Sequence, residues 1–203
     1  MRRPLFRLAV AAAAFFLISP TRARAQVTEV PNPAIFPDPA KFAHGLYTEG
    51  EIGALMFFGN AREWIGPGFA LGGRVGYDLT RWLAVQAHAI GSTHETRFDG
   101  MPQAGQIIQL YQGTAELKVT IRIVQTSIFV EGGGGVARLS TNILETVGGS
   151  DQRNGLTAGG GAGVDYHSLS RHFSLGLRVG YFWLRDIKDS AQVTATTYLR
   201  YTF

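Results

Sequence analysis

The chain has 203 residues, 26 of them glycine and none cysteine, and it carries 19 basic against 15 acidic side chains. The missing cysteine excludes disulfides, thiolate metal sites and a lipobox cysteine to acylate. Five arginines and no acid fall in residues 1–25, so the remainder holds 14 basic and 15 acidic side chains. The high pI therefore describes the leader and gives no basic face for nucleic acid, and no nucleic-acid partner is expected.

Met1-Arg2-Arg3-Pro4 and Arg7 form a charged head, followed by an uncharged apolar run over residues 8–18. That run is too short to cross a bilayer as a helix. Ala23 and Ala25 supply the small residues of a cleavage site, which predicts a cleavable export signal over residues 1–25 and a mature N-terminus at Gln26. Residues 26–45 contain Pro31, Pro33, Pro37 and Pro39. Closely spaced prolines cannot donate a hydrogen-bond ladder, so this segment reads as an extended tail.

From Leu46 onward, segments of period two alternate with turn-like or polar stretches. In residues 46–58, Glu49 and Glu51 oppose Ile52, Ala54 and Met56. In residues 68–79, Phe69, Leu71, Val75 and Tyr77 oppose Arg74 and Asp78. Residues 83–92 set Val85, Ala87 and Ala89 against Gln86 and His88. The fourth segment, ending near Arg122, alternates Tyr111, Ala115, Leu117, Val119 and Ile121 with Gln112, Thr114, Glu116, Lys118 and Arg122. Residues 128–138 and 156–166 contain glycine runs with Glu131 and Asp165. Residues 173–184 place Leu175, Leu177, Val179, Tyr181 and Trp183 opposite Ser174, Gly176 and Arg178, and residues 193–203 hold Arg200.

Eight such strands predict an all-β, eight-stranded antiparallel up-and-down transmembrane β-barrel over residues 46–203, with the proline-rich tail on the periplasmic side. The connections near residues 78–81, 124–125 and 167–172 are short, whereas those over 59–67, 93–106, 139–155 and 185–191 are longer, which is the asymmetry of outer-membrane barrels. Lipid requires a closed sheet with an apolar outside, and a polar inside is then allowed. The polar face collects Glu49, Glu51, Arg74, Asp78, His88, Glu116, Lys118, Arg122, Glu131, Asp165, Arg178 and Arg200. Its acids and bases nearly balance, so an ion-paired lumen network is expected, the glycines leaving room for long charged side chains. Aromatic girdles are expected from Tyr77, Trp82, Tyr166, Phe173 and Tyr201 at one end and Phe58, Trp64, Phe69, Tyr111 and Trp183 at the other.

Little in the sequence points to catalysis. His167 and Ser168 are adjacent, but neighbouring residues point apart and the pair sits in an expected turn. The five histidines lack metal-ligand spacing, and the glycine runs lack the Lys-Ser/Thr ending of a phosphate loop. No metal or cofactor is expected. Eight strands leave an interior just filled by side chains, which argues against a wide pore.

Leu199, Tyr201 and the final Phe203 resemble the C-terminal signal read by the barrel-assembly machinery. With Arg74-Val75-Gly76-Tyr77-Asp78, Gly161, Gly163 and Ser174-Leu175-Gly176, the body resembles the small OmpA-like or OmpX-like outer-membrane barrels. The general look is also similar to small barrels associated with gliding motility in myxobacteria. These resemblances imply an integral protein of the bacterial outer membrane, with outer-membrane lipid, lipopolysaccharide and an envelope complex as partners. The expected function is non-enzymatic, an anchor whose loops over 93–106 and 139–155 make contacts. The alternatives are a lipid-modifying enzyme, marked by a serine and a histidine converging on the lipid-facing surface, or a narrow channel.

Overall fold

The computed structural model describes residues 45–97, 107–140, 154–168, 172–185 and 190–203. The export signal and nearly all of the proline-rich tail lie outside these residues, as do the middle parts of the connections after residues 97, 140 and 185. Eight strands form, β1 (Leu46–Phe58), β2 (Ile65–Asp78), β3 (Leu83–Thr96), β4 (Ile107–Ile123), β5 (Thr126–Leu139), β6 (Asn154–His167), β7 (Phe173–Leu184) and β8 (Ser190–Thr202). Each pairs antiparallel with its neighbours in chain order, and β8 returns to β1 from Tyr47↔Thr202 to Phe58↔Ala191. The expected closed up-and-down barrel is therefore the architecture found.

The period-two pattern dictates this closure. A strand with one apolar and one polar face must bury one of them, and a barrel removes the unpaired edges that an open sheet would expose. Short connections fix the register at one end. Thr80 donates its N–H to the Leu83 carbonyl at 3.0 Å, and its Oγ1 accepts the Leu83 N–H at 3.0 Å. Only Val124 and Gln125 separate β4 from β5, and Val124 takes a φ of 55°.

Several boundaries differ from the sequence reading. β3 runs on to Thr96 and pairs Glu95 with Ile107, where a loop from residue 93 was expected. The run Thr93-His94-Glu95-Thr96 looks like a loop by polarity, yet a ladder that rises beyond the hydrocarbon band needs no apolar face there. β2 starts at Ile65 with a register shift before Gly68, at the position of Pro67, which has no N–H to give the ladder. Residues Gly59–Glu63 form a 3₁₀ turn, and Ala61 within it packs on the inside of the barrel.

The interior has two layers. Toward the short turns it is polar and charged. Toward the long connections, Leu55, Phe57, Ala70, Ile90, Ile108, Leu110, Leu139 and Leu184 form an apolar cluster that includes Ala61 and Ile65. The polar interior expected from the sequence therefore carries an apolar layer as well: Leu55 and Phe57 share the inward face of β1 with Glu49 and Glu51. Trp64, expected in the outer girdle, is a correction, since it packs against this cluster.

Candidate functional site

Inward side chains of β1 to β5 and of β7 converge at mid-barrel. Glu51 on β1 and Glu116 on β4 flank His88 on β3, whose Nε2 lies 2.6 Å from Glu51 Oε1 and whose Nδ1 lies 3.2 Å from Glu116 Oε1. Arg74 on β2 pairs with Glu51, and reaches Glu116 at 3.5 Å and Glu131 at 3.4 Å. From the opposite wall, Arg178 on β7 meets Glu49 at 2.8 Å, Glu51 at 3.1 Å and Glu131 at 2.9 Å. Gln86 donates to Glu116 at 2.7 Å and to Glu131 at 3.0 Å, and accepts from the Tyr47 hydroxyl at 2.8 Å.

Closer to the short turns, Lys118 on β4 lies 3.5 Å from Asp165 and 3.7 Å from Glu49, and no part of it is exposed. The Tyr198 hydroxyl and Ser127 both donate to Asp165. Arg200 reaches Asp78 at 2.6 Å across the β1–β2–β8 wall. Eleven of the twelve residues in the sequence-derived set are buried within the barrel, and Arg122 is half-buried near the short-turn end. Each buried carboxylate is held against at least one cation, the condition under which charge tolerates a desolvated interior.

Three inward aromatic residues complete this network, and sequence reasoning missed them. The rings of Tyr47, Phe129 and Tyr198 each occupy the space above the inward glycine of the adjacent strand, Gly76, Gly163 and Gly176 respectively, which are their register partners. A cation also lies over each ring. Arg200 stands 3.6 Å from the centroid of Tyr47, Lys118 3.8 Å from that of Phe129, and Arg178 4.2 Å from that of Tyr198. These three inward glycines make room for rings, whereas inward Gly72 lies beside the Glu51 carboxylate and leaves the room for a long charged side chain that the sequence led one to expect. The signal that could have found them was an aromatic and a glycine of the same inward parity on neighbouring strands.

Among the described residues, serine–histidine contacts form at His167 and at His94, each with a serine distant from the His167-Ser168 neighbour pair. His167, at the end of β6, lies 2.9 Å from Ser127 Oγ, while Ser168 turns away in the connection to β7. Ser92 Oγ sits 2.8 Å from His94 Nε2, and His94 Nδ1 is 2.9 Å from the Gly66 carbonyl. Because only a protonated Nδ1 can donate to that carbonyl, a neutral ring leaves Nε2 to accept from Ser92, the arrangement of a nucleophile and its base. Both side chains point inward and are buried, so this pair is not on the lipid-facing surface.

The outward face is of a different kind. Large side chains such as Leu71, Leu117, Ile121, Leu175, Leu177 and Val179 are more than half exposed. Tyr77, Trp82, Tyr166 and Phe173 are exposed near the short-turn end, and Phe69, Tyr111, Tyr181 and Trp183 toward the long-connection end. Among the outward positions of the eight strands, the charged residues are Glu95 and Arg138, both close to the long connections. Between them and the short turns the band is uncharged. Leu199, Tyr201 and Phe203 also lie on this face, with Tyr201 packed against Phe173 and Phe203.

The family model described as outer membrane protein beta-barrel domain matches residues 9–199. No curated protein matches the chain. Among solved structures, Neisserial surface protein A is 16% identical, with a TM-score of 0.59 over 79% of this chain and 99% of that one. OprG of Pseudomonas aeruginosa is 13% identical, with a TM-score of 0.52 over 80% of this chain and 97% of that one. Ail, the attachment invasion locus protein of Yersinia pestis, is 16% identical in its complex with sucrose octasulfate, with a TM-score of 0.50 over 79% of this chain and 99% of that one. At such identities the likeness is one of fold.

Proposed function

The chain belongs to the outer membrane protein beta-barrel domain family, and on that premise we propose that it is a non-enzymatic integral protein of the bacterial outer membrane, which anchors long outer connections for contact with partners. The observation that carries this reading is the division of the barrel into an uncharged outer band and a filled interior. The band suits acyl chains, and the ion network below an apolar cluster gives the interior to structure rather than transport.

Outer-membrane lipid and lipopolysaccharide are the partners of the outer face, and the barrel-assembly machinery is the partner during insertion, through Leu199, Tyr201 and Phe203. Export by the signal over residues 1–25 precedes both. Two structural neighbours carry surface roles in their names, surface protein and attachment invasion locus protein, which supports surface contact as the general role. A narrower version makes the partner an envelope machine such as a gliding-motility apparatus. It rests on resemblance alone, and co-purification after crosslinking in the native cell tests it.

The primary experiment is heat modifiability with an epitope inserted in the 139–155 connection. Faster migration of the unheated protein, together with labelling of the epitope on intact cells, is the expected result. A soluble species without a shift would sink the membrane reading. For the enzyme alternative, hydrolysis of lipid by the wild type that disappears in Ser92→Ala would replace the anchor reading with catalysis. For the channel alternative, steady conductance in planar bilayers would show that the apolar cluster does not close the interior.

A further inference from the structure

We propose that the outward face of β5 to β7 is a binding site for an outer-leaflet lipid bearing headgroup phosphate, an inference that rests on the outer-membrane reading above. The first observation is the placement of arginine. Arg138 is exposed on the outward face at the end of β5, between its register partners Tyr111 and Asn154. Arg185 is exposed immediately after β7, with its N–H donated to the Leu156 carbonyl on β6 at 3.0 Å. One strand lies between them, so their backbones are about 10 Å apart laterally.

Neither guanidinium forms an ion pair or hydrogen bond among the described residues, and no acid among them faces outward from β4 to β7. A guanidinium at the edge of a lipid-facing band turns its charge to the headgroups, where phosphate can accept two parallel N–H bonds. The short-turn edge of the same sector offers Ile123, Thr126, Tyr166 and Phe173, which are uncharged. The asymmetry favours the outer leaflet.

The second observation is a trough for hydrocarbon that begins below the two arginines, past the outward pair Val136 and Leu156. Outward Gly132 and Gly134 on β5 pair with Gly160 and Ala158 on β6, and Ala162 follows in the same row. Leu117 on β4 forms one wall, while Val179 and Tyr181 on β7 form the other. The row from Ala158 to Ala162 is about 13 Å long. At its lower end it joins a hollow of about 700 Å³ on the outer face, lined by Ala162, Val164, Leu177, Val179, Ala195 and Ala54. Phosphate-binding cations above a channel of small apolar residues match the two halves of one lipid molecule.

The test uses the full chain, folded in detergent micelles and checked for its heat-modifiable shift. Binding is measured for bisphosphorylated lipid A, for the same lipid with its phosphates removed, and for inorganic phosphate. The wild type is expected to bind the phosphorylated lipid at least tenfold more tightly than the dephosphorylated one, and inorganic phosphate far more weakly than either. The Arg138→Gln/Arg185→Gln variant should lose the preference for phosphate, whereas Arg62→Gln, on the β1–β2 connection, should keep it. Ala158→Leu/Ala162→Leu should weaken both lipids and leave the phosphate preference in place. An unchanged preference in the double arginine variant would overturn the proposal. So would inorganic phosphate binding as tightly as the lipid, which would mark a free-anion site. Loss of the gel shift in the wild type would instead refute the outer-membrane reading on which the site rests.

Discussion

Tyr198 sits against the inward Gly176 of β7 and under the guanidinium of Arg178, and the same grouping of glycine, ring and cation recurs at Tyr47 and Phe129. Each ring gives a long, buried cation an apolar and quadrupolar seat. Even one added carbon at Gly176 would overlap the Tyr198 ring. Gly176→Ala should therefore destabilise the barrel by about 1–3 kcal/mol, the range for overpacking a filled core. Gly50→Ala, whose added carbon meets nothing within 4 Å, should leave stability nearly unchanged. Denaturant unfolding in lipid vesicles checks both, and equal effects would refute the packing argument. Val124 makes the opposite case. A β-branched residue at φ 55° holds a left-handed backbone that costs roughly 1–2 kcal/mol. Val124→Gly should raise the unfolding midpoint in the same assay, and a lowered midpoint would show that the valine side chain contributes more than its backbone costs.

Strand alternation and charge identity were legible in the sequence at the level of the element because they depend only on parity. β7 is the clearest instance: its boundaries, its outward Leu175, Leu177 and Val179, and its inward Arg178 follow from period two alone. What parity cannot supply is depth. Leu55 and Glu51 have the same parity on β1, yet one enters the apolar cluster and the other the ion network, because the stagger of closed strands decides which inward residues share a level. Partners were hidden for the same reason. His167 meets Ser127, forty positions away, through the β5–β6 register. The register also makes the network testable. Arg178 meets three carboxylates, so Arg178→Met should cost about 3–5 kcal/mol by leaving buried acids uncompensated. Adding Glu131→Gln, which removes one of those acids, should recover part of that loss. Strict additivity of the two changes would mean that the contact carries no energetic coupling.

At the scale of the whole molecule, a polar interior with an apolar exterior is the inverse of a water-soluble barrel, and the argument turns on what surrounds the band. Strands of 12 to 17 residues exceed the 9 to 11 that a tilted strand needs to cross hydrocarbon, so their ends project beyond it and tolerate Glu95 and Arg138. The middle should not. Val179 lies at the centre of β7 and faces outward, whereas Val136 faces outward three positions from the end of β5. If acyl chains surround the band, Val179→Arg should destabilise the barrel by about 2–4 kcal/mol and Val136→Arg by only about 0–1 kcal/mol. The comparison needs unfolding in phospholipid vesicles, and a repeat of both variants in a detergent with short chains should narrow the difference. Two variants of equal stability in vesicles would mean that the uncharged band is not matched to the membrane interior. The long connections would then have no bilayer to fix which side they face, and the surface-contact reading would lose its physical basis.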